Sequence, residues 1–252
     1  MKDLSFLNIL ENVYLKFRYM FFRKYITKKS FANRKLVFSD DFKNLDNFKI
    51  TDNEFYNDND VYFSKDAVKI VDNGVRITCY KDKATRTTWQ GKRTTNWTSG
   101  MITTHGKFQQ SKGVWVIESN ICASWPAIWM LKYERLIEGY KVKQITPEID
   151  LMEIINGKIQ HGIAYGYSDI TYRTNGVFNR IIKNDDAFHE FAVEILDNGY
   201  RFYLDGILTA KFNLSDPEFV SNDANYLLLN NAADEDTVKN TTFIIKSVKV
   251  YE

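Results

Sequence analysis

The sequence predicts an all-β fold of two packed sheets, preceded by one amphipathic helix. From Leu36 onward the chain breaks into short segments rich in Val, Ile, Thr, Phe and Tyr, many alternating apolar with polar residues. Turn signals separate them: Asp72-Asn73-Gly74, Asp197-Asn198-Gly199 and Asp205-Gly206. Ahead of them, Leu7, Leu10, Tyr14, Phe17 and Phe21 recur at alternating spacings of three and four, the period of one helix face.

Taken in order, the first element is that helix, which ends in a basic stretch carrying Lys24, Lys28, Lys29, Arg34 and Lys35. Glu11, Lys16 and Arg18 interrupt its apolar run, so it does not read as a cleavable signal peptide. Two roles stay open for it: a peripheral contact with a membrane surface, or docking onto the protein's own body. The chain divides into this extension, residues 1–34, and a β-domain, residues 35–252. Candidate strands follow at 35–39, 61–63, 68–70, 75–80, 99–103, 113–120, 127–131, 149–155 and 160–165. Beyond these come 190–195, 201–204, 207–212, 226–230 and 244–250. Asn198–Ala210 reads as a hairpin with an Asp205-Gly206 turn after Tyr203-Leu204. Residues 131–146 are polar and read as a loop. So many strands with little helix call for a sandwich rather than an α/β layer.

Composition narrows the function classes. In 252 residues, 44% are hydrophobic and 15% aromatic, enough for a sizeable core. Net charge is +2, too balanced to argue for nucleic acid. No uncharged apolar run reaches the length of a transmembrane span. Cys79 and Cys122 have no zinc-ligand spacing and read as small core residues, although a bridge between them stays open.

The chemistry concentrates in PEIDLMEII, residues 147–155. Glu148 and Asp150 share a face by parity, while Glu153 falls out of phase. It returns to their face if Leu151 or Met152 forms a β-bulge, which adds one unpaired residue and resets the alternation. Three clustered carboxylates cannot all ionise cheaply, so at least one proton affinity must rise, as acid–base chemistry near neutral pH requires. Upstream, Trp125 and Trp129 share a parity and offer flat surface for stacking on sugar rings.

These residues resemble a known family. Glu148-x-Asp150-x-x-Glu153 is similar to the bulged signature of glycoside hydrolase family 16, in its laminarinase-, agarase- and carrageenase-like members. SWPAIWML (124–131) resembles its Trp-Pro-Ala-x-Trp segment, SGMIT (99–103) its Ser-Gly-x-Ile strand, and LVFSDDF (36–42) and FIIKSVKVYE (243–252) its first and last strands. The resemblance covers Leu36 to Glu252 in order. It implies a concanavalin A-like β-jelly-roll sandwich and a retaining, endo-acting hydrolase of a β-linked polysaccharide. It further implies Glu148 as nucleophile, Glu153 as acid/base and Asp150 as the assisting carboxylate. Asn120, Trp125, Trp129 and His161 stand where members place substrate contacts. No cofactor is implied, and the family's structural calcium has no assignable ligands in this sequence. A transglycosylase on the same site and a non-catalytic, lectin-like binder are the alternatives. The departures, Pro147, Tyr165 and the AADEDTVKN segment after Asn231, bear on the substrate rather than on the acids.

Overall fold

The computed structural model describes residues 6–56, 60–121, 124–132, 144–155, 158–167, 173–179, 187–213, 224–233 and 237–252. In chain order the elements are α1 (Phe6–Phe22), β1 (Leu36–Asp40), β2 (Lys49–Ile50), β3 (Glu54–Phe55), β4 (Val61–Phe63), β5 (Val68–Val71) and β6 (Gly74–Thr88). Next come β7 (Gly91–Thr103), β8 (Gly113–Ser119), β9 (Trp125–Lys132), β10 (Gln144–Ile155), β11 (Lys158–Tyr167) and β12 (Arg173–Asn179). The last five are β13 (His189–Leu196), β14 (Gly199–Leu204), β15 (Ile207–Asn213), β16 (Asn225–Ala232) and β17 (Thr241–Tyr251).

Two sheets pack face to face, as expected of the jelly-roll sandwich. One runs β17, β8, β13, β14, β15, with β1 and β6 sharing the other edge of β17 and β5 beyond β6. The second runs β2, β7, β16, β9, β10, β11, β12, all antiparallel. Between them lies one core that joins Ile117, Val193 and Phe202 of the first sheet to Ile128, Met130, Ile149 and Leu229 of the second. Fully burying each such side chain contributes roughly 1.5–3 kcal/mol, which holds the two layers together.

The Asp205-Gly206 turn is as the sequence predicts. Both residues have positive φ, 51° and 76°, and Leu204 pairs directly with Ile207, the geometry of a two-residue type I′ hairpin. Three features differ from expectation. The hairpin of β6 and β7 is far longer than its predicted ends, because its outer part is polar on both faces and carries no alternation signal. It is held instead by contacts such as the 2.7 Å bond between the Thr85 and Thr94 hydroxyls and Arg86 lying 4.3 Å over the Tyr62 ring. Strands β2, β3 and β12 are unexpected: two are only two residues long, and β12 has glycine at its centre. Finally, 144–146 belongs to β10 rather than to a loop; the rest of that predicted loop, 133–143, lies outside the described residues, as does Cys122. Cys79 is buried, as expected.

The N-terminal segment docks on this body. Asn12 bonds reciprocally with the backbone of Lys211, N–H and C=O each at 2.8 Å, and so caps the free edge of β15. Leu15 and Tyr19 are buried beneath the helix. Beyond it Phe31 packs edge-on to Tyr203 on the outer face of the first sheet, and Lys29 and Arg34 both pair with Glu194. Among the described residues no helix is long and apolar enough to cross a membrane.

Candidate active site

Strand β10 lies between β9 and β11 in the second sheet, and its register shows how the three acids meet. Against β9, Asp150 pairs with Trp129 and Met152 with Ile128, so Leu151 has no opposite number. Against β11, Asp150 pairs with Gly162 and Glu153 with Gln160, with the same slip between them. The extra residue is a β-bulge, and Leu151 and Met152 both turn into the core. Ile149 and Ile154 also face the core, leaving Glu148, Asp150 and Glu153 on the opposite, outer face. A second slip falls between Ile145 and Glu148, where Pro147 stands. Proline has no N–H for the ladder and is tolerated at such an irregularity.

His161 supports the bulge from behind. Its Nδ1 lies 2.5 Å from the Leu151 carbonyl and its Nε2 3.0 Å from the Thr209 hydroxyl of the other sheet. Its ring stacks on Phe202, and the residue is 0% exposed. A carbonyl only accepts, so Nδ1 carries the hydrogen and donates to Leu151, while the Thr209 hydroxyl beside Nε2 also reaches the Phe202 carbonyl at 3.1 Å. Burial holds the imidazole pKa down to about 4. This corrects the expectation of a sugar contact: Gly162 and Gln160 share the acids' face, and His161 lies between them pointing the other way.

The acids are thickly screened from water. Asp150 is 3% exposed. Burial, then the charge of Glu153, pushes Glu148 up to about 7. Burial and the charges of both glutamates hold Asp150 well above the ordinary carboxylate range. Glu153 is raised by burial, opposed by the Trp125 indole N–H, which donates to its Oε1 at 3.0 Å. The trio therefore holds protons near neutral pH that isolated carboxylates would have lost.

Around the acids, Trp125 and Trp129 lie on the same face, partly exposed. Trp129 donates its indole N–H to Asn230 Oδ1 at 2.7 Å. Asn230 is fully buried, and its Nδ2 meets no acceptor among the described residues. It enters from β16, paired with Ala127, which is itself paired with Glu153. Tyr56 is a member that sequence reasoning missed. Its ring meets Trp125 at 6.0 Å, and burial followed by the charges of Glu153, Glu148 and Asp150 raises its phenol pKa. Nothing in its local sequence marks it, since only the tertiary fold brings it to β10. Asn120, expected as a sugar contact, is instead committed to the first sheet. Its Oδ1 accepts from Ile244 N–H at 2.7 Å, its Nδ2 donates to Thr242 C=O at 3.4 Å, and 6% of it is exposed.

No protein-family model and no protein of curated function matches the chain. Solved structures do. LamAcat from Zobellia galactanivorans superposes with a TM-score of 0.71 at 21% identity, over 88% of this chain and 99% of that one. The laminarinase catalytic domain of Thermotoga maritima gives 0.69 at 20%, covering 87% and 98%. A structure described with endo-acting O-glycanases of the human gut microbiota that initiate mucin breakdown gives 0.71 at 17%, covering 90% and 94%. The chain has the two-sheet jelly-roll fold of these solved structures.

Proposed function

We propose that this protein is a retaining, endo-acting glycoside hydrolase of the family 16 type that cleaves internal β-linkages of a polysaccharide. The observation that carries this reading is the acid strand: three carboxylates returned to one face by the Leu151 bulge, with raised proton affinities and an indole donor on the third. Paired carboxylates with separated roles are what double displacement needs.

Glu148, ionised, attacks the anomeric carbon as the glycosidic C–O bond breaks, and Glu153 gives its proton to the departing oxygen. Glu153, now a carboxylate, takes a proton from water, whose oxygen attacks the same carbon. The ester to Glu148 breaks and the anomeric configuration is retained. Asp150 sits between the two and its burial favours the protonated form, which suits a hydrogen-bond donor to the nucleophile. Trp125 accepts two tasks, holding Oε1 of Glu153 and presenting a stacking face to sugar; Trp129, oriented by Asn230, presents another. A β-glucan or galactan is the substrate class we favour, since several of the similar structures are described as laminarinases or endo-β-glucanases.

Incubation with laminarin, mixed-linkage β-glucan, agarose, carrageenan and mucin glycans, followed by product analysis, tests the proposal. Short oligosaccharides of retained anomeric configuration are expected on one of the first four, falling on the order of a thousandfold in Glu148→Gln. Undiminished cleavage by that variant, or net inversion by NMR, overturns the assignment. Binding with no reducing ends released makes the chain a carbohydrate-binding protein instead.

A further inference from the structure

Helix α1 uses only one side to hold the protein. Asn12, Leu15 and Tyr19 point into the body, and Glu11 is engaged by Lys211 at 2.7 Å. At about 100° per residue, the side chains of Ile9, Val13, Tyr14, Phe17, Met20 and Phe21 form a continuous arc of about 140° on the opposite side. Every one of them is at least 47% exposed, with Val13 at 60% and Phe21 at 61%. Surface apolar residues are ordinarily scattered, so a stripe this dense marks an interaction face.

Its borders say what covers it. Lys16 flanks the arc on one side and Arg18 on the other; Lys24 follows at the end of the helix. Residues 1–35 carry nine Lys and Arg against two Asp and Glu, whereas the whole chain is only +2, so the remainder is net negative. Two copies meeting through this stripe would bring like charges together along both borders. An anionic lipid surface instead accepts the aromatic stripe into its headgroup boundary and pairs with the flanking cations. The 17-residue helix is too short and too charged to span a bilayer, and it is fixed lengthwise to the edge of β15.

We propose that α1 is an in-plane membrane-docking helix that seats the folded domain on an anionic lipid surface through the stripe centred on Val13 and Phe17. The acids lie on the outer face of the second sheet, and no residue of the helix belongs to their surroundings, so docking and sugar chemistry use separate parts of the molecule.

Flotation of the full chain with phosphatidylcholine vesicles containing about 30% phosphatidylglycerol tests this independently of any glycosidase activity. Binding is expected at 0.1 M NaCl and much less with phosphatidylcholine alone or at 0.5 M NaCl. Phe17→Glu with Phe21→Glu changes only exposed positions and should cut the bound fraction at least about tenfold, with circular dichroism and Tm unchanged. A second pair, Lys16→Glu with Arg18→Glu, keeps the stripe and should lose the preference for anionic vesicles. If the folded wild type fails to float, or the Phe17/Phe21 variant floats as well as wild type, the proposal falls. A dimer in sedimentation that the same variant dissolves, without flotation of the wild type, assigns the stripe to a second copy and equally overturns it.

Discussion

His161 holds the carbonyl of Leu151 at 2.5 Å, on the side of the strand away from the acids. The bulge that reunites Glu153 with Glu148 and Asp150 thus has its displaced carbonyl satisfied inside the core, by a residue that never meets substrate. His161→Ala leaves that carbonyl buried without a donor and opens a cavity against Phe202. The expected destabilisation is about 2–4 kcal/mol. Activity should fall mainly in kcat, because Glu153 loses its position relative to Glu148 while the stacking tryptophans remain. His161→Asn, whose amide can replace Nδ1–H, should recover part of kcat. Equal recovery by Asn and Leu would show that His161 fills space only. The imidazole is held near 4 in the folded chain, below its ordinary 6.5. Its contribution to stability is therefore present above pH 6.5 and lost as pH falls towards 4, and this part of the acid sensitivity should vanish in His161→Asn.

Glu148 has the opposite sign. Its folded-state pKa of about 7 stands above the ordinary 4.5, so the folded chain binds the proton more tightly than the unfolded chain. Its favourable contribution is complete below pH 4.5 and is lost as pH rises through 7. Glu148→Gln removes the group, so it should raise stability at pH 8 by on the order of 2 kcal/mol relative to wild type and change little at pH 4.5. Urea melts of both proteins at the two pH values decide it; an equal effect at both would contradict the raised proton affinity.

Gly162 faces Asp150 across the β10–β11 ladder. A Cβ added there would lie 2.9 Å from Asp150 Oδ2 and 3.3 Å from Gln160 Nε2, tighter than ordinary contact. Because Asp150 is almost wholly enclosed, its carboxyl has little room to retreat. Gly162→Ala should leave the fold intact and lower kcat by at least about tenfold, since small displacements of a catalytic group are costly. Steady-state kinetics with a soluble oligosaccharide gives the result, and a crystal structure of the variant shows whether Oδ2 moved.

Asn12 closes the free edge of β15. In Asn12→Ala both the N–H and C=O of Lys211 lose their partner, at a cost of about 1–2 kcal/mol given that water can reach them in part. Removal of residues 1–34 should cost much more, because Tyr19 and Phe31 are buried against the sheets and Glu194 would lose both Lys29 and Arg34. Thermal melts of the two variants measure this. A truncated chain as stable as the full one would restore the extension to the status of an independent appendage.

The hairpin of β6 and β7 shows where sequence reading stops. Its Thr-, Lys- and Arg-rich arms are mainly polar on both faces, so the apolar–polar alternation is absent, and cross-strand pairing with contacts such as Arg86 over Tyr62 holds them. His161 and Asn120 show a second limit. The family resemblance marks both as candidates for the site, yet which face of a strand a side chain takes depends on register, and a single step reverses it. With Gly162 opposite Asp150, His161 must point inward.

Sequence by itself determined the two-sheet β-fold, the hairpin at Asp205-Gly206, and the spacing of Glu148, Asp150 and Glu153 that demands a bulge. These are local properties, set by alternation, turn chemistry and parity along one strand. Tertiary structure alone decided that Leu151 is the extra residue, that His161 and Thr209 support it, and that Tyr56 and Asn230 border the acids. It also decided that α1 is both docked and exposed. Each of these depends on partners far apart in the chain, brought together only when the two sheets close on their shared core.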